Sequence, residues 1–342
     1  MRKTPWFFHV GLVALVPLVY LASCSGGCGT CTVPPYHPGT VVVPGVTPTP
    51  LPPGVTPTPV PTPTPTPVPV PPAAACTQGA PNSIALGDAA PFALLGGAGI
   101  TNTGNTFVNF ATGAVSTNVF GTFNDDLVGA YPTTSITGFT GANDAGGATA
   151  IYAAGFQANA AFLTAAQAAV TNAYNLATAP HAGTITFPDG QDLSQASSGV
   201  ANCGPAGTAA CGVGTLGAGV YFSASTMSIT AGALTLDGGG NAESVFIFQI
   251  GSALTMAAPG GNVILVNGAN PCNIYWADFS GATLGGVATG AHFYGNILAP
   301  TGAIGFTTAI TIFEGRALGG VPSAVNISAP VTGLAITNYG GD

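Results

Sequence analysis

Apolar residues follow two rhythms along this chain. Between Asn159 and Ala179, in "NAAFLTAAQAAVTNAYNLATA", Phe162, Ala165, Ala166, Ala169, Ala173 and Leu176 recur at helical spacing. They predict one long helix with a narrow, alanine-rich stripe that can lie close against a flat partner. His181 and Gly183 follow its end, as they would a helix terminus. From Gly219 onward the apolar residues come instead in short, strand-length runs punctuated by glycine. Aligned on aromatic and glycine landmarks, these runs form coils. Ile274–His292 and Phe293–Thr311 are nineteen residues each, "IFEGRALGGVPSAVNIS" follows, and "VFIFQIGSALTM" (245–256) opens an earlier coil. A repeat near twenty residues with three short strands per unit predicts a β-solenoid, whose coils bury their inward side chains on one another.

One short motif returns once per coil: "SALT" (252–255), "SGAT" (280–283), "TGAI" (301–304) and "SAVN" (323–326). Stacking would set Ser252, Thr255, Ser280, Thr283, Thr301, Ser323 and Asn326 in columns on one outer face. A second series, "TGAH" (289–292) and "TAIT" (308–311), sets Thr289, Thr308 and Thr311 on a neighbouring face. Ile304 and His292 stand where Thr or Asn would make a cleaner row. Ser and Thr also suit strands and turns for local reasons. The regular placement is what points to a built surface.

Composition narrows what such a surface can meet. Charged residues are 4% of the chain, against about 25% in an ordinary domain. Hydrophobic residues reach 47%, enough to bury a core. From residue 76 onward Arg316 is the only Lys or Arg, against eleven acids, so there is no basic surface for a phosphate backbone. Nucleic acid is excluded as a partner. Asp125-Asp126 is the only adjacent acidic pair and has no cation near it in sequence, which is poor material for a polysaccharide hydrolase or lyase. Glu314 and Arg316 read as a local structural pair, and His292 as a satisfied edge histidine. "DGGGN" (237–241) is a turn, without the second acid a calcium loop needs. No catalytic residue, cofactor or metal is expected.

The N-terminus reads as an export signal. Arg2-Lys3 precede an apolar run from Trp6 to Ala22, and "LASC" (21–24) resembles a bacterial lipobox, which would place a lipid on Cys24. Ser25 rather than aspartate follows it, which favours the outer membrane in a Gram-negative cell. The expected organisation is a signal at 1–23, a lipidated segment at 24–33, a Pro/Thr-rich stalk at 34–75 and a globular domain at 76–342. The stalk's alternating prolines favour polyproline II, about 3.1 Å per residue, and hold the domain away from a membrane. Oxidised cysteines suit export. Cys203 and Cys211, in "CGPAGTAAC", are expected to pair; Cys76 and Cys272 are the second candidate pair, though these four allow three connectivities. Cys28 and Cys31 form a CxxC beside the anchor, and the pairing of Cys28, Cys31, Cys76 and Cys272 stays open.

Several segments together resemble the bacterial and fungal ice-binding domain family known as the DUF3494 type. They are "ALGDAAPFALLGGAGITNTGNT" (85–106), "SITGF" (135–139), the alanine-rich helix ending in "NAYN", "GVYF" (219–222), "LTLDGGGNAESVFIFQIGSALT" (234–255), "NIYW" (273–276), "YGNILA" (294–299) and "EGRAL" (314–318). The resemblance covers residues 83 to 342. It implies a mainly β fold: a discontinuous right-handed β-solenoid of triangular cross-section, with one long α-helix packed alongside and the N-terminal segment completing coils beside the C-terminal ones. It also implies a flat ice-binding face built from Thr-Ala/Gly-X-Thr/Asn motifs, which the series above matches at Ser252, Thr255, Ser280, Thr283, Ser323 and Asn326, with Thr301 equivalent. The stretch "FVNFATGAVSTNVFGTFNDDLVG" (107–129) departs from the family as an insertion. The expected partners are ice and its ordered water, with a membrane reached through the lipid, and a monomer is expected. The alternative is a surface adhesin or glycan-binding solenoid without ice affinity.

Overall fold

A computed structural model describes residues 83–110, 115–118, 121–124, 127–133, 135–139, 151–152, 160–286, 290–307, 309–328 and 334–338. The signal, Cys24, the stalk, Cys28, Cys31, Cys76, Asp125 and Asp126 lie outside them, as do Thr289 and Thr308.

Parallel strands stack into a solenoid with a helix along one side. On the helix side the strands follow one another in space as 185–186, 219–223, 246–250, 274–278, 291–299, 310–319, 92–96, 127–130 and 151–152. A second side runs 191–192, 227–229, 254–256, 281–284, 303–306, 324–328, 99–103 and 136–137. A third, shorter side holds 215–217, 233–237 and 262–266. On both long sides the first strands of the domain pair with its last: Leu94 sits opposite Ala317, and Thr101 opposite Asn326. The solenoid is therefore discontinuous, its start closing on its end.

Alternation explains the core. In Met227–Ile229, Leu254–Met256, Ala282–Leu284 and Ile304–Phe306 the first and third residues are buried and the middle one faces out, as strand geometry demands. Aromatic rings fill the centre coil by coil. Phe187, Tyr221, Phe248 and Trp276 stack with centroids 5.6, 5.3 and 4.0 Å apart, and Phe293 continues the column 5.0 Å beyond Trp276. The two polar rings do not leave a polar atom stranded. Tyr221 donates to the Gly217 carbonyl at 2.5 Å and Trp276 Nε1 to the Tyr294 carbonyl at 2.9 Å.

Coil length is not nineteen residues. Thr255 pairs with Thr283, twenty-eight positions on, while Trp276 pairs with Ile297, twenty-one positions on. Aligning aromatics misled because Phe293 and Tyr294 precede a corner that Tyr275 and Trp276 have already passed. The early coils reach the helix side through separate connections, 238–245 and 267–273, the second with a short 3-10 helix at Pro271–Asn273. The later coils turn without a break inside the strands Ala291–Ala299 and Ile310–Gly319. The turn needs Gly295 and Gly315, which pair with each other at φ 110° and 148°. A Cβ on Gly315 would lie 2.0 Å from the Gly295 carbonyl oxygen. Gly315→Ala should therefore destabilise the domain by about 3 kcal/mol, from the unfavourable φ and the clash combined; the midpoint of urea unfolding reports it.

The helix spans Ala160–Thr178 and buries Phe162, Leu163, Ala166, Gln167, Val170, Ala173 and Ala177. The expected stripe is rotated: Leu176 is 50% exposed and Ala177 takes the inward position. Both stripes satisfy helical spacing, so periodicity alone does not separate them. The sheet surface beneath, carrying Ile247, Tyr275, Ala277, Leu298 and Leu318, packs with Leu163 and Val170 in one cluster, while Phe162 packs on Phe92 with centroids 5.2 Å apart. At the helix end Gln249 Nε2 donates to the carbonyls of Ala177 and Ala179 at 2.8 and 3.0 Å, satisfying acceptors that a terminus leaves open.

Arg316 is buried on this same side. Its Nε donates to the Ala90 carbonyl at 2.7 Å and its Nη1 to Asn296 Oδ1 at 3.0 Å, while Asn296 Nδ2 donates to the carbonyls of Cys272 and Ile274. The lone cation of the domain is a clamp between the beginning of the domain and its late coils, not a surface charge. Both ends of the expected insertion also belong to the solenoid. Thr106–Phe110 pairs with Leu334–Asn338, Leu127–Ala130 pairs with Phe92–Gly96, and between them Val115–Asn118 and Gly121–Asn124 form an antiparallel pair.

Candidate functional site

The second side of the solenoid presents one continuous outward row. The strand registers place Asp192, Ser228, Thr255, Thr283, Gly305, Asn326, Thr101 and Thr137 side by side. Neighbouring strands lie about 4.8 Å apart, so the row repeats a short polar or methyl-bearing side chain at that interval, save at Gly305. Thr283, Asn326, Thr101 and Thr137 are exposed, and Thr255 and Ser228 are half-buried. Two residues along, Thr103 and Ser328 form a second exposed pair. On the other flank stand small residues, Gly281 opposite Ala303 and Gly99 opposite Ala324. None of these positions holds a Lys, Arg or Glu. Asp192, the one acid, is occupied internally: it accepts from the Thr230 hydroxyl at 2.6 Å, the Ser194 hydroxyl at 2.7 Å and the Ala231 N–H at 2.9 Å. Burial opposes its ionisation, yet these hydrogen bonds prevail and hold its carboxyl below the ordinary value.

The expected site residues divide under this geometry. Thr255, Thr283 and Asn326 share the central row. Ser252 and Ser280 lie in the turns that lead into it, Ser280 exposed and Ser252 half-buried, its carbonyl accepting from the Ser280 N–H at 2.7 Å. Thr301 is exposed in the equivalent turn one coil on, its hydroxyl donating to the Phe279 carbonyl. Ser323 is not on the face. It is 1% exposed, and its hydroxyl donates inward to the Ala299 carbonyl at 2.7 Å. Its place in the motif put it on the surface, but the turn carries it under the chain. Thr311 lies on a different side, at an irregularity in the pairing of 291–299 with 310–319, half-buried. His292 shares that pairing and sits 3.2 Å from the Tyr294 hydroxyl.

The third motif is out of register by one residue. Ile304 pairs with Ala282 and Val325 and is fully buried, so the outward position belongs to Gly305. The expected mismatch at Ile304 is instead a core residue in its proper place, and the row carries a gap rather than a bulky side chain. Ser228, Thr101, Thr103, Thr137 and Ser328 join the face from outside the recurring motifs. "GITNT" (99–103) does show the alternation that exposes both threonines.

Asp278 anchors the entry to this face. It is fully buried at the end of Ile274–Asp278 and accepts from the N–H groups of Leu254, Ser280 and Gly281 at 3.2, 3.2 and 3.1 Å. Burial pushes its carboxyl up to about 6, against the pull of those three N–H groups. The folded state thus holds this proton more tightly than the unfolded chain, whose aspartates titrate near 3.9. The contribution is complete below that unfolded value and is lost as pH rises through about 6. Between pH 4 and pH 7 unfolding free energy should fall by up to about 3 kcal/mol on this account. Urea titrations at the two pH values check it, and Asp278→Asn should flatten the difference.

Away from the face, Cys203 and Cys211 form a disulfide with Cα atoms 5.3 Å apart, and Cys272 is also disulfide-bonded. The same loop is tied down by Asp237, which accepts from the N–H groups of Gly204 and Gly239 and from Asn267 Nδ2.

Known proteins share this fold. Residues 94–329 match the family model described as ice-binding-like. Ice-binding protein 1 of Shewanella frigidimarina (strain NCIMB 400) is 48% identical over 85 residues, covering 25% of this chain and 9% of that protein. The ice-binding protein of Nostoc sp. (strain HG1) is 46% identical over 104 residues, 30% of this chain and 36% of that one. The chain therefore spans well under half the length of these two curated relatives. The crystal structure of an ice binding protein from an Antarctic biological consortium superposes with a TM-score of 0.54 at 29% identity, covering 78% of this chain and 95% of that one. With the family model matched across most of the solenoid and the fold shared, the chain belongs to the ice-binding-like family.

Proposed function

We propose that the chain adsorbs to ice through the second side of its solenoid, along the row from Ser228 to Thr137. The observation that carries this reading is the regular register of that row: short hydroxyl, amide and methyl groups on successive coils, broken only by Gly305, with no cation, and with the neighbouring Asp192 carboxylate engaged internally. Such groups hold a layer of water by hydrogen bonds while leaving the space above them open. A stiff support matters, because ordering a mobile surface at the moment of binding costs entropy. Hydrogen-bonded parallel coils over a stacked aromatic core supply that stiffness. The chemistry is adsorption that blocks growth or recrystallisation of ice, with no catalytic step.

The N-terminal signals extend the proposal to location. Lipid on Cys24 and an extended stalk would hold the domain at the cell surface, where the same face could tether a cell to ice or shape the ice around it. A monomer suffices, since the row is complete within one chain. Purified residues 76–342 should show thermal hysteresis or inhibition of ice recrystallisation. Normal crystal growth at high protein concentration would favour the glycan-binding alternative instead.

A further inference from the structure

We propose that the polar row at the corner between the helix side and the candidate face is a ladder of coil-to-coil staples, and that Thr301 and Ser323 act as positioning residues rather than ice contacts. Three side chains on successive coils carry it. Asp278 accepts from the Leu254 N–H of the preceding coil and from Ser280 and Gly281 of its own turn. Thr301 donates to the Phe279 carbonyl one coil back. Ser323 donates to the Ala299 carbonyl, again one coil back. The bonds to Leu254, Phe279 and Ala299 each cross from one coil to the next just before the strand that carries Thr283, Gly305 or Asn326.

The placement has a physical purpose. A turn has fewer ladder hydrogen bonds than the strands it joins, so the corner is where one coil can shift against another. A shift there displaces every outward residue on the following strand, and an adsorbing row tolerates little displacement because its groups must match a fixed lattice together. Burial also excludes Ser323 from direct contact: at 1% exposure its hydroxyl is spent on Ala299 and does not reach ice. The hydroxyl of Thr301 is likewise engaged, by the Phe279 carbonyl of the preceding coil.

This inference rests on the reading of the second side as the ice-binding face, and the test separates the two. Thermal hysteresis of the full chain, expressed for export, is compared with that of Ser323→Ala, Thr301→Val and Thr301→Ser at equal concentration, with circular dichroism recorded at 4 °C. Ser323→Ala should lose several-fold activity with an unchanged spectrum. Thr301→Val, which keeps the shape but loses the donor, should fall likewise, while Thr301→Ser, which keeps the donor, should retain activity. Full activity in Ser323→Ala, or equal losses in the two Thr301 variants, overturns the staple assignment. Should Ser323→Ala fail to fold, the exposed Thr301 pair decides alone. An inactive wild type would instead overturn the ice-binding reading itself.

Discussion

Thr283→Tyr should lower thermal hysteresis about tenfold or more without unfolding the protein. Thr283 is exposed at the centre of the row, between Thr255 and Gly305. A tyrosine there projects a ring above a surface otherwise made of one- and two-carbon side chains and lifts the neighbouring groups off any flat partner. Losing about 1.4 kcal/mol of adsorption free energy is already a factor of ten. The fold should not notice. The residue is on the solvent side, where substitutions cost within about 0.5 kcal/mol. The measurement is hysteresis beside a thermal melt; a variant that keeps wild-type activity would place the contact surface elsewhere.

Arg316→Ala should destabilise the domain by about 3–5 kcal/mol while changing nothing on the candidate face. The guanidinium is 2% exposed and donates to the Ala90 carbonyl and to Asn296 Oδ1. Hydrogen bonds from a charged donor contribute about 1.5–3 kcal/mol each, and truncation also leaves a cavity beneath the helix. The loss falls where the first strand of the domain meets the last coils, so it weakens the closure that makes the solenoid discontinuous. Arg316→Lys should recover only part of it, because a single ammonium does not reproduce the two-pronged geometry. Chemical unfolding midpoints report both, and a loss below about 1 kcal/mol for the alanine variant would contradict the clamp.

How far the sequence could lead is visible at particular residues. The solenoid, the single helix and the outward Thr255, Thr283 and Asn326 follow from local runs and from family-like segments, because a strand's alternation is written in adjacent positions. Register is not local. Gly305 rather than Ile304 faces out because the third turn holds one more residue than the two before it, and only the pairing of Ile304 with Ala282 and Val325 reveals it. Coil length went astray for the same reason, since an aromatic before a corner and one after it look alike in sequence. Thr101 and Thr137 extend the row from the other end of the domain, and the partner of Thr101 is Asn326, more than two hundred positions away. Ser323 satisfies the motif yet turns inward, because a hydroxyl in a turn can bond backbone as readily as water. The lone arginine announced itself by scarcity, and its role as a clamp came only from its partners.

The central claim is that the flat hydroxyl-and-methyl row on the second side is what meets ice. The most direct measurement joins a fluorescent protein ahead of residue 76 and lets the fusion bind a single-crystal ice hemisphere beside the same fusion carrying Thr283→Tyr. The account predicts bright bands on defined planes for the wild type and a dark hemisphere for the variant. Identical bands for both would contradict it.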